Sequence, residues 1–169
     1  MKIETVPIDS VSFDPANVRR HPERNLATIK ASLLRFGQQK PIVVDAAGVV
    51  RAGNGTLAAA KALGWKEIRI VRSSLAGSEA TAYAIADNRT AELAEWDDDA
   101  LAQTLAALQT SDEEAFAATG FLEQEVRALT DRYMASGEVP ESSAKEIDVD
   151  GFDMQCKCPR CGFEFDPKA

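Results

Sequence analysis

The spacing of apolar positions changes several times along the chain, and each change predicts an element. Ile3 to Val11 reads as a short opening strand and turn. Pro15 to Pro22 reads as a loop, because Pro22 pushes His21 out of helical geometry. Leu26, Ile29, Leu33 and Phe36 then recur at helical spacing, with Asn25 placed to cap that helix and Gly37 to stop it. Pro41-Ile42-Val43-Val44-Asp45 has the pattern of a buried strand. Ala46-Ala47-Gly48 turns it, and Val49 to Ala52 returns. Gly53-Asn54-Gly55-Thr56 leads into a helix expected from Leu57 to Leu63 and ended by Gly64, and Ile68 to Val71 forms another strand. The fold class this predicts is α+β: a small mixed sheet with helices, and a glycine turn between a strand and a helix.

Beyond the last strand the period is helical. An alanine-rich helix is expected from Gly77 to Asn88. Asp97 is placed to cap a further helix with Leu101, Leu105 and Leu108 inward. Ser111 with Glu114 three residues later fits a capping box for the next, which stops at Gly120, and Leu122 to Met134 forms the last. Residues 135–150 lose the period and read as a linker. The expected organisation is a domain over 1–96, a helical extension over 97–134, that linker, and a cysteine-bearing tail over 151–169.

Charge divides the chain more sharply than hydropathy does. Residues 1–90 carry 13 Lys and Arg against 8 Asp and Glu, whereas residues 91–169 carry 6 against 19. Anionic ligands would therefore meet the first half, and the helical extension is acidic. No apolar run approaches the roughly 20 residues that span a bilayer, and the first residues lack a signal-peptide core. A cytoplasmic location without a membrane partner is expected.

The glycine turn is the leading candidate for chemistry. At the start of a helix, Gly53, Asn54, Gly55 and Thr56 would offer backbone N–H groups to a phosphate, with the Thr56 hydroxyl beside them. Arg19, Arg20, Lys40 and Arg51 are cations that other segments could bring to it. Taken in order, Asn17-Val18-Arg19-Arg20, Phe36-Gly37, Pro41-Ile42-Val43-Val44 and the run Gly53 to Gly64 resemble the ParB/sulfiredoxin superfamily. Ala86-Asp87-Asn88-Arg89-Thr90-Ala91-Glu92-Leu93 with Trp96-Asp97 is similar to its phage and mobile-element branch. The resemblance covers about residues 3–98. It implies a nucleotide with magnesium as ligand, CTP in the partition proteins, with Asp87 and Asn88 standing where that family has a Glu-Asn pair near the metal. The chain also departs from the family pattern. The phosphate motif Gly-Glu-Arg-Arg is replaced by Gly53-Asn54-Gly55-Thr56, Ala58-Ala59 follow in place of Arg-Ala, and Lys40 stands where glutamine precedes the proline. The sulfiredoxin reaction is not expected, because its turn cysteine is missing.

Other residues invite weaker readings. Asp87, Glu92 and Asp97 could act as acid, base or magnesium ligands, although Asp97 also suits a helix cap. His21, the only histidine, reads as a surface residue. The acidic helices are unlike the basic helix-turn-helix that follows this domain in partition proteins, so DNA binding is expected to be weak or indirect. Cys156, Cys158 and Cys161 form half of a zinc-ribbon-like knuckle. Asp153, Asp166 or a second chain could complete a tetrahedral zinc site, the last making a homodimer. The functional expectation is a nucleotide- or phosphate-binding adaptor or regulator in DNA transactions, working with protein partners in DNA processing. The alternatives are a phosphoryl-transfer enzyme or nuclease using the same pocket, and an interaction module with a vestigial pocket.

Overall fold

The computed structural model describes residues 2–135, 156–157, 159–160 and 164–165. The strands are β1 (Ile3–Pro7), β2 (Ile42–Val44), β3 (Val50–Ala52) and β4 (Glu67–Arg72). The helices are α1 (Glu23–Phe36), α2 (Asn54–Ala62), α3 (Gly77–Glu92), α4 (Asp98–Ser111), α5 (Glu113–Thr119) and α6 (Glu123–Ala135). The sheet order is β1-β4-β2-β3. β2 runs parallel to β4 with Ile42 beside Ile70, while β1 on β4 and β3 on β2 are antiparallel. A parallel pair needs a crossover, and β3 with α2 supplies it. The fold is therefore the expected α+β class.

Packing explains these elements. Ile42, Val44, Val50, Ile68 and Ile70 alternate onto one sheet face and are buried with Leu57, Ala59 and Ala60 of α2 and Leu33 of α1. Small Ala59 and Ala60 let α2 lie close on the sheet, next to the fully buried Leu57. A second cluster joins Leu105, Phe116 and Val126 of the last three helices, with Leu101, Leu108, Phe121 and Leu129 around it. These acidic helices dock on α1 through ion pairs. Arg24 forks onto Glu125 at 2.6 and 2.8 Å, and Arg35 reaches Asp112 at 2.7 Å. Residues 1–136 form one compact unit and 137–169 a second. In the second, β5 (Cys156–Lys157) pairs antiparallel with β6 (Glu164–Phe165).

Several helix ends differ from expectation. α1 begins at Glu23, two residues before Asn25, because Pro22 with φ −64° and ψ 165° sets the entry angle. Asn25 bonds His21 instead of capping. α2 begins at Asn54 rather than Leu57, which draws the glycine turn into the helix's first turn. α3 runs on to Glu92. The cap of α5 is Asp112, whose carboxylate accepts from the Ala115 N–H at 2.9 Å, so Ser111 ends α4 instead. Asp97 does cap α4, accepting from Ala100 N–H. Phe36, expected on the inner stripe, is 41% exposed.

Candidate functional site

The chain leaves β3 at Ala52 and enters α2 through Gly53, whose φ of 101° is left-handed. A Cβ there would lie 2.6 Å from Ile42 Cγ2, so both conformation and space require glycine. The helix ladder starts with Leu57 N–H donating to Gly53 O at 3.0 Å. The N–H groups of Asn54, Gly55 and Thr56 precede it, and no side chain caps them. Among the described helices α2 is also the one without an acidic residue in its first turn. An uncapped end of this kind, free of carboxylates, favours an anion.

A hydrogen-bonded scaffold holds that end in place. Asn54 Oδ1 accepts from the Asp14 N–H at 3.1 Å, and Asn54 Nδ2 donates to Val50 O at 3.3 Å. Buried Asp14 accepts from Ala16 N–H at 2.9 Å and from Arg51 at 2.8 Å. Arg51 also forks onto Asp45 at 3.0 and 2.7 Å through its Nε and a terminal nitrogen. Asp45 accepts in addition from the Ala47 and Val49 N–H groups. Burial pushes the Asp45 carboxyl up, but the Val49 N–H, Arg51 and Ala47 N–H bonds outweigh it and hold it below the usual carboxylate range. The bond to Asp45 raises the Arg51 guanidinium against the opposing effect of burial, and Asp14 adds to the rise.

Beside this turn lies a cavity of about 210 Å³. It brings together Arg19, Lys40, Arg51, Gly53, Asn54, Gly55, Thr56, Asp87 and Asn88 from four separate segments, and adds Asn17 and His21. Arg20 is placed elsewhere, in a neighbouring groove with Val18, Ile85 and Arg89. Two of the three gathered cations already have carboxylate partners: Arg51 as described, and Arg19 with Glu92 at 2.6 Å. Lys40 makes no ion pair among the described residues. Asn88, another lining residue, donates from Nδ2 to Ala84 O at 2.8 Å, and its Oδ1 has no hydrogen-bond partner among the described residues. The neighbouring Asp87 lies near Tyr83, whose phenol is raised by burial and, after that, by this carboxylate. One carboxylate and one amide oxygen are hard donors that suit magnesium shared with a phosphate.

Glu92 pairs with Arg19, and Asp97 caps α4. The sequence reading missed His21 and the carboxylates Asp14 and Asp45. His21 next to Pro22 looked like ordinary loop, and nothing local signals that it folds against Gly55. The knuckle of Cys156, Cys158 and Cys161 falls outside the described side chains, as do Asp153, Asp166 and the linker residues 136–150. Among the described residues no three His, Cys, Asp or Glu side chains form a metal cluster, and no helix is long and apolar enough to cross a membrane.

No protein-family model matches the chain, and no curated protein sequence matches it. Solved structures do. The C-terminally truncated chromosome-partitioning protein ParB from Caulobacter crescentus, complexed with CTP-gamma-S, superposes with a TM-score of 0.65 at 22% identity, covering 83% of this chain and 88% of that one. A Pnob8-like ParB-N domain gives 0.46 at 18% identity over 83% of this chain and 50% of that one. The Caulobacter ParB complexed to the centromeric parS site gives 0.43 at 21% identity, covering 80% and 79%. The fold is ParB-like. The first of these likenesses spans more of the chain than residues 1–96 can supply, so it extends into the helices that follow the sheet.

Proposed function

We propose that this protein is a nucleotide-binding adaptor or regulator in DNA transactions, of phage or mobile-element context. Its phosphate site is the first turn of α2. The observation that carries the reading is the uncapped, acid-free N-terminus of α2, beside a cavity that Lys40, Asp87 and Asn88 also line. Gly53, Asn54, Gly55 and Thr56 offer N–H groups, Thr56 adds a hydroxyl, and Lys40 and Arg19 contribute charge. Arg51 and Asn54 position the turn, and Arg20 is a charge at the approach. Asp87 and Asn88 would hold magnesium against the ligand phosphate, where the ion would neutralise charge. The ParB-like fold supports the reading, since its Caulobacter representative was solved with a CTP analogue. The test is calorimetry with CTP, ATP and GTP, each with and without magnesium. Binding of at least one nucleotide, weakened by Lys40→Ala, is expected, and no binding of any removes the nucleotide from the reading.

Two further parts belong to the same proposal. Duplex DNA binds weakly and without sequence preference, because acidic first turns on α4, α5 and α6 repel a phosphate backbone. A sequence-selective complex at physiological salt would contradict this. The tail binds zinc through Cys156, Cys158 and Cys161 with a fourth ligand from Asp153, Asp166 or a second chain. Elemental analysis should find about one zinc per chain, lost in Cys158→Ser. A zinc-dependent rise in mass would identify the second chain as the donor.

A further inference from the structure

His21 is half-buried in the wall of the cavity, and its ring is fixed on two sides. Nδ1 lies 2.8 Å from Asn25 Oδ1. An amide oxygen can only accept, so Nδ1 carries the hydrogen. The same edge of the ring packs on the first turn of α2: a Cβ at Gly55 would lie 2.7 Å from His21 Cε1 and 2.9 Å from Nδ1, with Ile29 Cδ1 at 3.0 Å. Glycine at 55 is thus what lets the imidazole sit directly against the helix end. Nε2, the ring's other nitrogen, has no partner among the described residues.

We propose that His21 is a ligand-contacting residue of this site, donating from Nε2 to a phosphate oxygen held at the Gly53–Thr56 turn. The proposal rests on the phosphate-site reading above and names a contact that reading does not include. The chemistry needs no rearrangement. With Nδ1–H already bonded to Asn25, Nε2 takes one proton from solvent as the phosphate binds, which gives an imidazolium that keeps the Asn25 bond and gains a charge-assisted donor. That donor compensates for cations engaged elsewhere: Arg51 is held by Asp14 and Asp45, and Arg19 by Glu92. Asn25 acts through His21, as a positioning residue.

Because the chain has one histidine, its ring nitrogens give unambiguous NMR signals. The full chain is titrated with inorganic phosphate and, separately, with CTP and magnesium, while calorimetry reports whether each probe binds. The expected result is a shift of the Nε2 signal toward the protonated form, with Nδ1 little changed, and about a tenfold loss of affinity in His21→Gln. Asn25→Ala keeps the imidazole but frees it, so its loss should be smaller and its Nδ1 signal should move on binding. A probe that binds without moving the ring signals overturns the contact while leaving the phosphate site standing. Should His21→Gln fail to fold, the wild-type titration decides alone. If neither probe binds, the contact and the phosphate site fall together.

Discussion

Arg51 shows how one side chain can line a ligand cavity and still be committed to the fold. Its side chain is 18% exposed and bridges Asp14 to Asp45, so loop, turn and sheet meet at one guanidinium. Removing it leaves two largely buried carboxylates without a counter-charge. Arg51→Ala should therefore destabilise by about 3 kcal/mol, and Arg51→Lys should recover only part of that because a single ammonium cannot copy the fork. Urea unfolding midpoints measure both. Asp45 adds a pH dependence of definite sign. Its folded carboxyl is held below the ordinary value, so its contribution is fully present above about pH 3.9 and is lost as pH falls below it. There the unfolded chain binds a proton that the folded chain still refuses. Stability measured at pH 5 and pH 3 should drop more steeply in the wild type than in Asp45→Asn. Equal drops would show that this carboxylate contributes nothing to the acid limb.

Among the elements, α5 of the helical extension meets α1 closely at one glycine. α5 ends at Gly120 with φ 85°, and a Cβ there would come within 2.4 Å of Thr28 Cγ2 on α1. Gly120→Ala thus meets both an unfavourable backbone region and a clash, and should cost about 2 kcal/mol. Pairing it with Thr28→Ala removes the clash but not the backbone strain, so the double variant should be more stable than the two single losses predict, by about 0.5–1 kcal/mol. A double-mutant cycle in denaturant reads this directly, and strict additivity would mean the helices do not meet at this point. Gly120 also marks how far sequence reasoning reaches. Its role as a stop was legible from the end of the helical period, but its role as a contact was not, because Thr28 lies far away in sequence. The same division holds for the site. Apolar spacing and the glycine turn located β2, β3 and α2. The start of α2 moved to Asn54 because helical dihedrals at glycine leave no side-chain signature, and the start of α1 moved because Pro22, read as part of a loop, also sets a helix entry. Asp14 reaches Asn54 and Arg51 across about forty residues, and His21 packs on Gly55 from another segment, contacts that no local pattern encodes.

At the scale of the whole molecule, the basic first half does not translate into a strongly cationic cavity. Arg24 and Arg35 pair with carboxylates of the helical extension, and Arg72 with Glu4, all away from the cavity. Within it, Arg51 and Arg19 are paired, Lys40 is not, and Asp87 is a further lining residue. A phosphate group brings a charge of about −1.5 to −2 at neutral pH, so one such group roughly balances Lys40 and the helix end. A triphosphate exceeds that and meets the Asp87 carboxylate as well. Magnesium reverses the role of Asp87, from repelling phosphate to sharing a cation with it. The consequence is a pair of effects with opposite signs. In EDTA, a nucleoside triphosphate should bind no tighter than the monophosphate, and Asp87→Asn should strengthen its binding by several-fold. With magnesium, the triphosphate should gain about tenfold in the wild type, and Asp87→Asn should remove most of that gain. Calorimetry of CMP and CTP under both conditions supplies the four comparisons. Asp87→Asn changing triphosphate affinity in the same direction with and without magnesium would exclude Asp87 from the metal's coordination.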